Sequence, residues 1–241
     1  MDLGIAGKAA LVVAASRGLG RATAEALTGE GARVMLSSRG GDGLEAAAAS
    51  LRSAGAEVAT TAADIADPRA PALLVAATVE AFGAVDIVVA NAGGPPAARA
   101  LDVDDAQLDA ALNANLLSAI RLTREAVPHM RENRWGRCCY ITSYSVVQPL
   151  PALALSNTAR TGLWAWVKTA AQDLAAEGSG ITLNLLCPGP HATDRMKELG
   201  GTGPMGDPAD FGSIAAFLCS QQAGYVNGAA LVVDGGSTLA L

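Results

Sequence analysis

Ala10-Leu11-Val12-Val13-Ala14-Ala15-Ser16-Arg17-Gly18-Leu19-Gly20 is the stretch on which the reading of this chain turns. Residues 11–15 are apolar without period-2 alternation, as expected of a parallel strand covered on both faces. Gly18 and Gly20 allow a tight turn, and a helix continues through Arg21-Ala22-Thr23-Ala24-Glu25-Ala26-Leu27. Glycine lets a backbone approach a ligand closely, and a helix N-terminus offers unpaired N–H groups to an anion. Strand, glycine turn and helix in that order make a pyrophosphate cradle. The same turn also arises for structural reasons alone, so the reading depends on whether further strand–helix units succeed it.

Beyond Leu27, strands and helices alternate to the end of the chain. Further strands are expected at 32–37, 57–60, 85–90, 138–142, 181–186 and 229–233. Helices are expected at 42–54 with Asp42 as cap, from Pro68 to about Phe82, and at about 104–131, 156–177 and 210–220. Repeated βα units dictate right-handed crossovers. The expectation is therefore an α/β protein: one Rossmann-like doubly wound domain over 1–241, with a seven-stranded parallel sheet and helices on both faces.

Composition narrows the function. The 241 residues carry a formal charge of −6, which argues against a nucleic-acid or anionic-membrane surface. Met1-Asp2-Leu3-Gly4 lacks the pattern of a signal peptide, and no apolar run has the length of a membrane span, so a cytoplasmic protein is expected. Cys138, Cys139, Cys187 and Cys219 form no C-x-x-C pair and read as reduced, buried thiols. His129 and His191 are the two histidines, neither near a cysteine cluster, so no metal is expected.

Ligands of such sheets sit beyond the carboxyl ends of the strands. After the second strand an NAD site needs a carboxylate for the ribose 2′-hydroxyl. Here Ser37-Ser38-Arg39 stands instead, and Arg17 lies in the glycine turn. A guanidinium binds phosphate bidentately, so the cofactor expected is NADP(H).

Over essentially its whole length the chain resembles the short-chain dehydrogenase/reductase family, nearest to its 3-oxoacyl-ACP reductase-like members. The stretches that carry this are Ala15-Ser16-Arg17-Gly18-Leu19-Gly20, Asp64-Ile65, Asn91-Ala92-Gly93, Asn115, Ile141-Thr142-Ser143, Pro188-Gly189 with Thr193, and Tyr225-Val226-Asn227-Gly228 before Val233-Asp234-Gly235-Gly236. The resemblance implies that Ser16, Arg17, Gly18, Leu19 and Gly20 hold the pyrophosphate, with Arg17, Ser38 and Arg39 towards the 2′-phosphate. It implies that Asp64 and Ile65 border the adenine, and that Asn91 and Gly93 pass under the ribose. Pro188, Gly189 and Thr193 would meet the nicotinamide side, Ser143 the substrate carbonyl, and Asn115 a proton-relay water.

The departures from the family bear on chemistry. Its Thr-Gly before the turn is Val13-Ala14 here, and its Tyr-x-x-x-Lys is Ser156-Asn157-Thr158-Ala159-Arg160. Four-residue spacing puts Ser156 and Arg160 on one helix face. An aliphatic hydroxyl is far less acidic than a phenol, whose pKa starts near about 10, so Ser156 can donate a hydrogen bond but is a poor proton donor. Arg160 keeps a positive field and, by the resemblance, a grip on the ribose. Tyr144, beside Ser143, and His191 are the alternative proton donors, against readings as a packed aromatic and a solvent-facing loop residue. His129 reads as capping or surface. The glycine-rich stretch Gly200-Gly201-Thr202-Gly203-Pro204-Met205-Gly206 predicts a short substrate lid at about 194–210 in place of the family's two short helices. Trp164, Trp166 and the apolar stretch 237–241 read as surface for a homodimer or homotetramer, or as packing within one subunit.

Two classes of function remain. One is reduction of a ketone or aldehyde of a small organic substrate by NADP(H), with a non-standard proton donor. The other is a non-redox enzyme on this scaffold (isomerase, lyase, dehydratase or cyclase), or a catalytically silent NADP-binding protein.

Overall fold

Every residue of β1 (Ala9–Val13) is buried, and the two faces of the strand feed two different cores. Ala9, Leu11 and Val13 point into one; Ala10 and Val12 point into the other. A computed structural model describes residues 1–198 and 200–240; Leu199 and Leu241 lie outside the described residues. Around β1 the chain lays down β2 (Arg33–Ser38), β3 (Val58–Ala62), β4 (Ile87–Ala90), β5 (Gly136–Ile141), β6 (Ile181–Pro188) and β7 (Ala230–Val233). All pair in parallel, in the order β3-β2-β1-β4-β5-β6-β7.

Helices α1 (Gly18–Gly29), α2 (Gly41–Ser53) and α8 (Pro208–Leu218) cover one face, burying Leu27, Leu44 and Phe211. Helices α3 (Ala70–Phe82), α5 (Ser118–Glu132) and α6 (Ala154–Ala176) cover the other, burying Leu74, Leu122 and Val167. Two short helices, α4 (Asp105–Leu112) and α7 (Asp194–Glu198), complete the set among the described residues. Neighbouring Cys138 and Cys139 fall into opposite cores, as alternation along β5 requires, and all four cysteines are buried and free. Trp164 and Trp166 are partly buried and pack against the α3–α5–α6 core of their own chain.

Some local expectations are corrected. Pro68 lies outside α3; Pro71 occupies its first turn, where a missing N–H costs nothing. Gly40, not Asp42, caps α2, and Asp42 sits in the first turn, favourable to the helix dipole. The long helix is interrupted. Asp104 starts α4 with a capping box to Gln107, and a π-helical turn at Asn113–Leu117 joins α4 to α5. Within that turn the Asn115 amide donates to Ala111 O (3.4 Å) and the Ser118 hydroxyl to Ala114 O (2.7 Å), both competing with the backbone ladder.

Strand order reverses between β1 and β4, which opens a crevice beyond their carboxyl ends. The segment 194–210, expected as a short lid, is not wholly irregular. After α7 it returns to the loop that follows β6, with Ala192 N donating to Gly206 O (2.9 Å) and Gly206 N to Pro190 O (3.0 Å). No helix of the described residues is long and apolar enough to cross a membrane.

Candidate functional site

β1 ends at Val13, so Ala14 belongs to the turn, and it adopts φ +52°. That is the left-handed region, which costs an alanine about 1–2 kcal/mol relative to the right-handed one. The alanine therefore holds this turn under backbone strain. Ala14→Gly is expected to raise stability by about 0.5–1 kcal/mol, the strain relief less the extra freedom of the unfolded chain. A denaturant midpoint unchanged or lowered in Ala14→Gly would refute the strain.

Beyond Ala14 the backbone is shaped to receive a ligand. Arg17 is the N-cap of α1 and its side chain does not cap the helix, leaving the first N–H groups of Gly18, Leu19 and Gly20 without a side-chain partner. Gly20 packs so closely that a Cβ there would lie 2.5 Å from Ala14 O and 2.8 Å from Asn91 Nδ2. Asn91, following β4, donates to Ala14 O (3.4 Å) and ties the two ends of the crevice together. Thr193 stands over the turn, its methyl 3.7 Å from where a Gly18 Cβ would be. A backbone cradle too tight for a side chain, at a helix N-terminus, fits a pyrophosphate.

On the far side, Ser38 is buried and donates to Gly40 O (3.1 Å). Arg39 is exposed and, among the described residues, forms no ion pair or hydrogen bond. Arg17 pairs with Glu198 of α7 at 2.8 Å, both side chains remaining largely exposed. Asp64 turns its carboxylate to Ala66 N (3.0 Å), and Ile65 lines the crevice. Gly93 lies in the loop after Asn91 with room around its Cα.

The catalytic side is built on α6 and the turn after β5. Ser143 caps a 3-10 turn at Tyr144–Val146 by accepting Ser145 N (3.2 Å), which leaves its O–H able to donate elsewhere. Ser156 and Arg160 both lie on the buried face of α6, as their spacing predicts. The Arg160 side chain runs into the crevice, within 3.9 Å of where a Gly94 Cβ would be. It lines a narrow cleft together with Asn91, Asn115, Thr142 and Leu163. Nη1 donates to the carbonyls of Thr142 and Ile141, and Nη2 donates to Asn115 Oδ1 at 3.3 Å. Its Nε is buried with no partner. No carboxylate pairs with it among the described residues. Burial therefore pushes the guanidinium down to about 10, against a small opposing pull from Cys187. Asn115 thus meets the cation directly, where the resemblance expects a water.

The candidate proton donors separate. His191 is not solvent-facing. Its ring is buried, edge-on to Phe211 at 5.2 Å, with Nδ1 on Gly189 O (2.9 Å) and Gly206 against its other edge. It anchors the loop Pro188, Gly189 and Thr193 under the lid. Tyr144 is half-buried in the turn beside Ser143. The other phenols are elsewhere: Tyr140 is in the core bonded to Thr123 (2.7 Å), its pKa raised by burial, and Tyr225 is fully exposed. His129 lies late in α5, where a cation suits the dipole.

Three partners escape sequence reading. Glu198, which holds Arg17, is distant in the chain and carries no motif. Asn113 donates to Ala66 O (2.7 Å) and accepts from Arg121 (2.7 Å), fastening the loop after β3 to the π-helical turn. The repeat Asn113-Ala114-Asn115 was a signal for it. Thr142, adjacent to Ser143, bonds Leu186 O (3.0 Å) and the Cys187 thiol (3.3 Å). Among the described residues no group of His, Cys, Asp or Glu could hold a metal ion.

Known proteins agree with this architecture. A family model described as enoyl-(acyl carrier protein) reductase matches residues 13–238. The chain is 32% identical to dehydrogenase/reductase SDR family member 4 of Homo sapiens, over 97% of this chain and 88% of that one. It is 34% identical to an uncharacterized oxidoreductase of Mycobacterium tuberculosis, over 96% and 92%. Its structure superposes on L-sorbose reductase from Gluconobacter frateurii, complexed with NADPH and L-sorbose, with TM-score 0.93, 31% identity and full coverage of both chains. Together with the seven-stranded parallel sheet and the glycine turn at its switch point, these matches make the chain a member of the short-chain dehydrogenase/reductase family.

Proposed function

We propose that this short-chain dehydrogenase/reductase, acting as one domain, reduces the carbonyl group of a small ketone or aldehyde with NADP(H). The observation that carries the cofactor choice is Arg39: an exposed, unengaged guanidinium at the carboxyl end of β2, with no carboxylate where NAD would need one. The NADPH complex of L-sorbose reductase supports the same choice. When bound, the nicotinamide supplies the hydride. The cradle of Ser16, Gly18 and Gly20, with Asn91, Gly93 and Thr193, binds and orients it. Ser143 and Ser156 donate hydrogen bonds to the carbonyl oxygen as charge develops there, and Arg160 supplies a fixed positive field below them. Solvent water or Tyr144 delivers the proton.

Arg39→Ala is expected to weaken NADPH binding about 10- to 100-fold, the worth of a charge-assisted phosphate contact, and to leave NADH binding unchanged. Titration by nicotinamide fluorescence measures both. An equal effect on the two dinucleotides would remove Arg39 from the 2′-phosphate. Turnover is then read by NADPH oxidation across a panel of ketones and diketones. Ser156 and Arg160 in place of tyrosine and lysine favour a second reading, a non-redox enzyme or a silent binder. Tight NADPH binding without oxidation across the panel selects it. A homodimer or homotetramer in the cytoplasm completes the proposal.

A further inference from the structure

The segment after β7 joins the loop after β6 to the turn after β5. Asp234 accepts Gly236 N (2.9 Å) and Thr238 N (2.6 Å), folding the chain back on itself. At this end the segment is pressed onto the loop after β6. Gly189 N donates to Val233 O (2.9 Å), and a Cβ at Gly189 would lie 2.6 Å from Asp234 Cβ. At its other end Leu239 N and Ala240 N both donate to Gln148 Oε1, at 2.7 and 3.1 Å. Gln148 N in turn donates to Tyr144 O (3.1 Å), closing the turn that Ser143 begins. Residues 234–240 therefore span from the Gly189 loop to the Ser143 turn. One hydroxyl along this span, Thr238 Oγ1, is buried without a partner.

We infer that Gln148 is a positioning residue that holds residues 237–240 as the substrate-facing wall of the crevice and so sets which carbonyl substrates fit. One acceptor oxygen takes two backbone donors from a segment with few other bonds. Losing that oxygen releases the wall, and the Ser143 turn loses its tie to the Gly189 loop. The cradle of α1 is not part of this linkage, so cofactor binding is spared. The inference rests on the carbonyl-reductase reading above.

The test compares wild type, Gln148→Leu and Gln148→Glu across 2-ketones of increasing chain length. Only the acceptor oxygen is used, so Gln148→Glu retains both bonds and Gln148→Leu retains neither. In Gln148→Leu the KM is expected to rise about tenfold and the chain-length preference to flatten. Its kcat and NADPH dissociation constant are expected to stay within about twofold, and Gln148→Glu to restore the wild-type KM pattern. Amide exchange at Leu239 and Ala240 is expected to accelerate in Gln148→Leu. Accelerated exchange with an unchanged KM pattern overturns the inference alone, as does a parallel loss of NADPH affinity. Wild-type protein that oxidises NADPH with no ketone overturns the reductase reading, and this inference with it.

Discussion

Gly20→Ala is expected to weaken NADPH binding by about 10- to 100-fold and to lower the unfolding temperature by several degrees. The added methyl would stand 2.5 Å from Ala14 O and 2.8 Å from Asn91 Nδ2. The first is backbone of a turn already strained at Ala14; the second is the amide that ties β4 to that turn. Neither is the free end of a flexible side chain, so α1 must move away from β1. Overpacking of this kind costs about 1–3 kcal/mol, and each kcal/mol shifts the midpoint by about 2–4 °C in a domain of this size. The same displacement carries the N–H groups of α1 away from the pyrophosphate, which is the source of the affinity loss. Calorimetric titration and thermal unfolding read the two effects. A protein that loses stability while keeping its NADPH affinity would show that the turn packs the fold and does not cradle the cofactor.

Arg160→Met is expected to make the protein more stable and catalytically poorer. Arg160 is a buried cation with no carboxylate beside it, its Nε unpartnered, and burial lowers its pKa from the ordinary guanidinium value to about 10. Keeping that charge in the folded state carries a penalty of order 3 kcal/mol. Between about pH 10 and the ordinary guanidinium pKa the folded protein binds fewer protons than the unfolded chain. The penalty is therefore complete below that window and is relieved as pH rises through it. At pH values of about 6 to 9 the gain from substitution should be flat. Methionine fills a similar volume but gives up the bonds to Thr142, Ile141 and Asn115, so the net gain is about 1–3 kcal/mol. Denaturant unfolding at several pH values measures it. Turnover should fall at least about tenfold with the loss of the fixed field. NADPH affinity should change little, because the guanidinium spends its Nη donors on the protein. A large loss of affinity would instead return Arg160 to the ribose.

The sheet was legible because its strands are buried on both faces. Residues 11–13 and 87–90 read as strands without alternation, and helical patterns between them left one topology. Element ends were less legible because they depend on side-chain bonds the pattern does not carry. Asn115 is a motif residue by resemblance, yet nothing in the pattern marks the π-helical turn around it, in which its amide reaches Ala111 O. In the site, the Ser156 and Arg160 spacing fixed the helix face. It did not fix the direction of a long flexible side chain, which was decided by the carbonyls at the end of β5. The burial of His191 was hidden for a related reason: Phe211, which packs against its ring, comes from a helix later in the chain.

The contact between α1 and α8 joins nearly opposite ends of the chain, and it is intimate: a Cβ on Gly212 would strike the backbone of Ala22. During synthesis the amino-terminal βαβ unit leaves the ribosome long before α8 exists to pack on the flank of α1. Closing so large a loop makes that docking a late and slow step. Until it occurs, the flank of α1 at Ala22 and Thr23 lacks its cover, so a nascent or truncated chain should depend on chaperones far more than the finished protein does.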